Sequence, residues 1–139
     1  MYLNKDHLER CIITLETSLV LLDKSEKGSI DYEVYRNAVV KGFELTLETS
    51  GKLLRKALKP YFSSPNEVDR LIFMDIFRYA AKHGILTIEE VERWFKYRDN
   101  RNFTANDYGA GFTGETLVLM PDFVSDAKKL SERLENEKN

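Results

Sequence analysis

Residues that cross-link, break or anchor a chain are scarce here. A single cysteine, Cys11, occurs in 139 residues, so no intramolecular disulfide can form; set among the apolar residues of CIITLETSLVLL, it reads as a buried small hydrophobe suited to a reducing cytosol. Three prolines and seven glycines leave long stretches free for regular structure. No apolar run approaches membrane-spanning length, and the N-terminal MYLNKDHLERC carries charges where a signal peptide needs an apolar centre, so the expected location is the cytoplasm, away from membranes. No sign of charge dominates: 21 Lys and Arg face 23 Asp and Glu, for a formal charge of −2 and a pI near 5.8. No global basic field therefore advertises nucleic acid, and an anionic partner has to be held locally. No His, Cys or Asp cluster has metal-ligand spacing, so neither a metal nor another cofactor is expected. Repeats, low-complexity tracts and linkers are also missing.

What is present is a globular composition, 42% hydrophobic and 32% charged, enough for one core and too short for two of ordinary size. A single domain over residues 1–139 is expected, with 131–139 as a frayed, charged tail. Leu8, Ile12, Leu15, Leu19 and Leu22 recur at alternating steps of four and three, one apolar stripe of a helix over Asn4 to Asp23. Ser29 ahead of Asp31 and Glu33 caps a long second helix that stops before Pro60. Ser64, Pro65 and Glu67 form a capping box that opens a third helix, closed by His83 and Gly84. A second capping box, Thr87 to Glu90, opens a fourth that runs into Arg98. Pro121 is placed at the first position of a last helix carrying Phe123, Ala127, Leu130 and Leu134. No segment alternates as a strand does. The fold class expected is all-α, an antiparallel up-and-down bundle of four main helices plus one or two short ones.

One stretch departs from plain amphipathic helix. RDNRNFTANDYG, from Arg98 to Gly109, crowds two Arg, three Asn, two Asp and a Tyr into twelve residues. Thr104 and Asp107 have the spacing of a weak capping box, which predicts a helix start at Thr104, with Phe103 and Tyr108 at the positions of a hydrophobic staple. On that register Asn106 falls in a first turn, where free N–H groups favour an anion. Arg93, Lys96, Arg98 and Arg101 approach the same junction and form a local basic patch.

WFKYRDNRNFTANDYG resembles the signature of the HEPN superfamily, in particular the small helical nucleotidyltransferase substrate-binding proteins regarded as HepT-type toxins. The hallmark of that family is an Arg, four to six residues and a His, often followed two residues later by Tyr. Arg101 and Asn102 stand where the motif begins, and Tyr108 stands at its Tyr. The His position holds Asn106. KGFELTLETSGKLLRKAL and SPNEVDRLIFMDIFRYAAKHGIL are similar to the family's second and third helices, and the likeness extends over roughly residues 5 to 135. The segment GAGFTGET fits it least well.

The resemblance implies a metal-independent endoribonuclease in which the 2′-hydroxyl of RNA, tRNA or mRNA, attacks the adjacent phosphorus. A guanidinium at Arg101 suits that chemistry, since it is always charged and forks onto two phosphate oxygens; Arg98, Asn102 and Lys96 are further phosphate-binding candidates. Asn106 does not titrate near neutral pH and cannot move the proton that His would. Loss of a general base costs about a hundredfold to ten-thousandfold, so this chain is expected to be a weak or inactive nuclease. The amide is compatible with a drift towards binding and equally with a near-isosteric replacement of a toxic His. His7 and His83, at other helix ends, are poor substitutes. The family also implies a partner, an MNT-type nucleotidyltransferase antitoxin that transfers AMP from ATP to Tyr108, and a homodimer or higher even oligomer with the active site between subunits. The alternative is a non-catalytic subunit that docks a nucleotidyltransferase through Arg98 and Arg101. Glu44, Glu48 and Lys52, four apart, read as a solvated ladder of helix ion pairs rather than a catalytic cluster. Trp94, Phe95 and Phe112 are possible interface aromatics that more often belong to a core.

Overall fold

A computed structural model describes residues 4–106 and 110–136, with side chains over 4–102 and 114–134. All regular structure among them is helical: α1 (Asp6–Lys24), α2 (Ile30–Leu58), a 3-10 turn (Lys59–Tyr61), α3 (Pro65–Asp69), α4 (Phe73–Lys82), α5 (Ile88–Asn106) and α6 (Ala110–Asn136). The all-α class holds.

The leucine stripe of α1 is buried at Leu8, Ile12, Leu15 and Leu22. It packs so closely on α2 that a Cβ on Gly42 would meet the Leu15 backbone at 3.4 Å. Gly51 lets the ring of Phe73 approach α2 in the same way, at 3.3 Å from where a Cβ would stand. At the far end Tyr61 stacks on His83 with ring centroids 3.9 Å apart. These two contacts show that α4 runs parallel to α2, which the return path through α3 permits. Helix α5 comes back against both, and α6 closes the bundle beside α1, where Lys128 pairs with Glu16 at 2.7 Å and the buried Lys5 ammonium donates to the Ser131 carbonyl at 3.0 Å. Aromatic rings fill the centre: Phe43 meets Phe123 edge-on at 4.9 Å, and Trp94 contacts Phe77 and Phe123.

Several expectations are corrected. The third helix is broken into α3 and α4, because the Arg55 guanidinium donates to the Val68 carbonyl at 2.6 Å and Leu71 N–H closes a turn onto the same oxygen, ending the ladder. Ser64 makes no side-chain cap there; Ser63 instead donates to Glu67 at 2.7 Å. Helix α5 does not stop near Arg98, nor does a helix start at Thr104: an already nucleated helix adds a bond per residue, and a weak local cap does not outcompete that. Pro121 lies inside α6 rather than at its start. Its missing N–H is tolerated because Met120, Phe123 and Val124 are buried on either side of it. The frayed tail also shrinks, since α6 continues to Asn136 with Leu134 fully buried.

Candidate functional site

Helix α5 carries two faces of different chemistry. Towards α6, Glu90, Arg93, Tyr97 and Asn100 follow one another at steps of three, four and three, a single polar stripe on a helix of 3.6 residues per turn. Each finds a partner. Glu90 closes the predicted capping box with Thr87, the two bonds at 2.9 and 3.1 Å, and also accepts from Arg133. Arg93 forks onto Asp126 at 2.8 and 2.9 Å, and the Tyr97 hydroxyl donates to the same carboxylate at 2.6 Å. Asn100 accepts from Thr116 at 2.8 Å.

Asp126 is only 2% exposed at its side chain. Burial alone pushes its carboxyl up, but the hydrogen bonds from Arg93 and Tyr97 and the Arg93 charge outweigh that and hold it below its ordinary value. Glu90 behaves alike, with Arg133 and Thr87 offsetting burial. Tyr97 is pushed up, first by burial and then by donating to Asp126, and the bond to Asp126 raises Arg93. This stripe fixes the rotation of α5 about its axis.

The other face of α5 opens onto a cleft of about 400 Å³ between α2, α4 and α5. Arg98 and Arg101 line it from α5, Glu44, Glu48, Lys52 and Arg55 from α2, and Phe73 and Ile76 from α4. The Arg98 guanidinium lies over the Phe73 ring, 4.9 Å from its centroid, a cation–π contact that orients it. Four cations and two carboxylates thus line one concavity, with Arg98 and Arg101 on the wall opposite Glu44 and Glu48. Such an arrangement can hold a phosphate through forked guanidinium bonds while placing carboxylates beside it.

The structure separates the expected basic patch. Arg98 and Arg101 share the cleft, whereas Arg93 is committed to Asp126. Lys96 and Asn102 are exposed and do not line the cleft; Lys96 precedes Arg101 by five residues, about 140° around the helix. Asn106 is the nineteenth residue of α5 rather than part of a helix's first turn, so the first-turn anion site expected on a helix start at Thr104 is not formed there. Its side chain, Tyr108 and the Phe103–Tyr108 staple lie outside the described residues. His83 ends α4 against Tyr61, and His7 Nε2 lies 3.8 Å from the Cys11 sulfur; neither lines the cleft. Glu48 and Lys52 pair at 3.3 Å, as the ladder reading expects, yet they and Glu44 face the arginines. Sequence reasoning missed that, and it missed Asp126 and Thr116. The signal for the polar stripe was the three-four-three spacing on α5 itself.

A model of the family described as nucleotidyltransferase substrate binding protein like matches residues 3–136. The chain belongs to this family. A Haemophilus influenzae relative named probable ribonuclease HepT is 24% identical over 136 residues, covering 95% of this chain and 92% of the relative. A solved Haemophilus influenzae structure, described as revealing the fold of a substrate binding domain of a nucleotidyltransferase, superposes with a TM-score of 0.82 at 24% identity, over 95% of this chain and 99% of that one. A crystal structure from Thermus thermophilus gives 0.73 at 23% identity, over 91% and 98%. At these identities the solved structures speak for the fold. The family description implies a nucleotidyltransferase as partner, and no described helix is long and apolar enough to cross a membrane.

Proposed function

We propose that the chain is the HEPN-type toxin subunit of a toxin–antitoxin pair, an endoribonuclease by ancestry that retains its phosphate-holding arginines and carries Asn106 where proton transfer calls for His. The observation that carries this reading is the convergence of Arg98 and Arg101 on one cleft, in a chain whose whole length fits the family. Arg101 and its neighbour bind the RNA phosphate and take up the charge that grows on it during attack by the 2′-hydroxyl. Asn106 orients without exchanging a proton, so turnover is slow or nil. An MNT nucleotidyltransferase restrains the subunit by AMP transfer: the Tyr108 oxygen bonds to the α-phosphorus of ATP and pyrophosphate leaves. The added phosphate competes for the arginines. The working unit is a homodimer or a higher even oligomer in the cytoplasm.

The test is cleavage of labelled total RNA without metal by the native chain, Asn106→His, and Asn106→His with Arg101→Ala. Strong cutting by Asn106→His alone supports the proposal. If none cuts while all are folded, the chain is a non-catalytic subunit that docks a nucleotidyltransferase.

A further inference from the structure

The cleft contains a proton acceptor that the Arg-to-His motif does not include. Glu44 lies on its α2 wall, half-buried, and no described hydrogen bond or ion pair engages its carboxylate. Glu48, one turn on, is more exposed and tied to Lys52 at 3.3 Å. The groups that face Glu44 are Glu48, Lys52 and Arg55 on its own helix and Arg98 and Arg101 on α5, while α4 contributes the apolar Phe73 and Ile76. The cleft volume lies within the range of about 300–1,000 Å³ typical of sites that hold a small ligand. A phosphate forked by the two arginines therefore has a carboxylate across from it within the same concavity.

We propose that Glu44 is the general base of this cleft, so that the residual RNA cleavage of the native chain runs through Glu44 rather than through position 106. This rests on the ribonuclease reading above. The Glu44 carboxylate takes the proton of the 2′-hydroxyl, and the freed oxygen bonds to the adjacent phosphorus. The bond from phosphorus to the 5′-oxygen breaks, and that oxygen takes a proton from water. The products are a 2′,3′-cyclic phosphate and a 5′-hydroxyl; Glu44 returns its proton to the hydroxide left behind. Arg98 and Arg101 carry the charge of the phosphorane, and Arg98 is held for this by its contact with Phe73, which Gly51 admits to the cleft floor.

The experiment follows metal-free cleavage of labelled RNA from acid to alkaline pH by the native chain, E44Q, E48Q, N106H and N106H with E44Q, alongside RNA affinity and thermal unfolding of each. E44Q is expected to lower native cleavage about a hundredfold and to abolish the fall in rate on the acid side, while RNA binds as tightly or more tightly for want of a negative charge. E48Q costs less than E44Q, since the Glu48 carboxylate is tied to Lys52, and E44Q costs less in the N106H background, where an imidazole offers a second route. Native cleavage that survives E44Q with the same pH profile overturns the proposal, as does cleavage lost in E48Q instead. If N106H cuts and the native chain does not, Glu44 is no base although the ribonuclease reading stands; if neither cuts, that reading falls and the proposal with it.

Discussion

Asp126→Ala tests whether the polar stripe between α5 and α6 stabilises the fold as its geometry implies. The substitution removes the acceptor of three hydrogen bonds. The Tyr97 hydroxyl, on a residue 1% exposed, is left without a partner, which costs about 1–3 kcal/mol. Arg93 is 36% exposed at its side chain and turns to water, so its share is that of a surface ion pair, about 0–1 kcal/mol. A fully buried pair broken on one side costs about 3–5 kcal/mol; the exposure of Arg93 moves the expectation to the lower end, about 3 kcal/mol. For a chain of this size that is roughly a 10 °C fall in Tm. Tyr97→Phe leaves Asp126 its two bonds to Arg93 and costs only about 1 kcal/mol. The double variant costs less than the two single losses together, because the hydroxyl is no longer there to be orphaned.

The pH dependence supplies an independent check by urea unfolding. Asp126 and Glu90 are both held below their ordinary values in the folded state. The unfolded chain therefore binds protons first as pH falls, and the stabilisation, complete above the unfolded value of about 4, is lost as pH drops through that value towards the lower folded ones. Asp126→Ala should flatten this acid loss while Glu90 keeps part of it. A variant within about 1 kcal/mol of the native chain, an unchanged acid slope, or strict additivity with Tyr97→Phe would refute the reasoning.

Thr46 is fully buried, and its hydroxyl has no hydrogen-bond partner among the described residues, so Thr46→Val should be neutral or stabilising by up to about 1 kcal/mol in thermal unfolding; a loss larger than that shows a partner is present. Thr87→Ala removes the side-chain acceptor for Glu90 N–H and should cost about 1 kcal/mol, with the Glu90–Arg133 pair retained. If the cleft arginines each hold one RNA phosphate, Arg98→Ala should reduce the slope of log affinity against log salt by about 0.7, the single-strand value. Lys96→Ala, on another flank of α5, should leave that slope unchanged; equal effects from both would show that the whole helix, not the cleft, attracts RNA.

The sequence carries those parts of the fold that local chemistry decides. The α1 stripe is buried as its spacing implies, Ser29 accepts from Tyr32 N–H at 3.1 Å, and the Thr87 box closes in both directions. Where the sequence misleads, packing or the propagation of an existing helix has overridden a local signal. Arg55 takes the Val68 carbonyl thirteen residues on and breaks a helix that Val68 and its neighbours would otherwise continue. Packing of Phe123 and Met120 retains Pro121 inside α6, and Thr116 secures Asn100, where the glycines after Tyr108 suggest no partner. The site follows the same rule. Counting Arg93, Lys96, Arg98 and Arg101 as one patch ignores the phase of the helix that bears them. With Trp94 and Tyr97 turned inward, one turn sends Arg93 to α6 and another sends Arg98 and Arg101 to α2, leaving Lys96 to solvent. What remained hidden was the opposite wall: Glu44 and Glu48 have the spacing of an ordinary surface ladder, and only the docking of α5 against α2 turns a ladder into the side of a cleft.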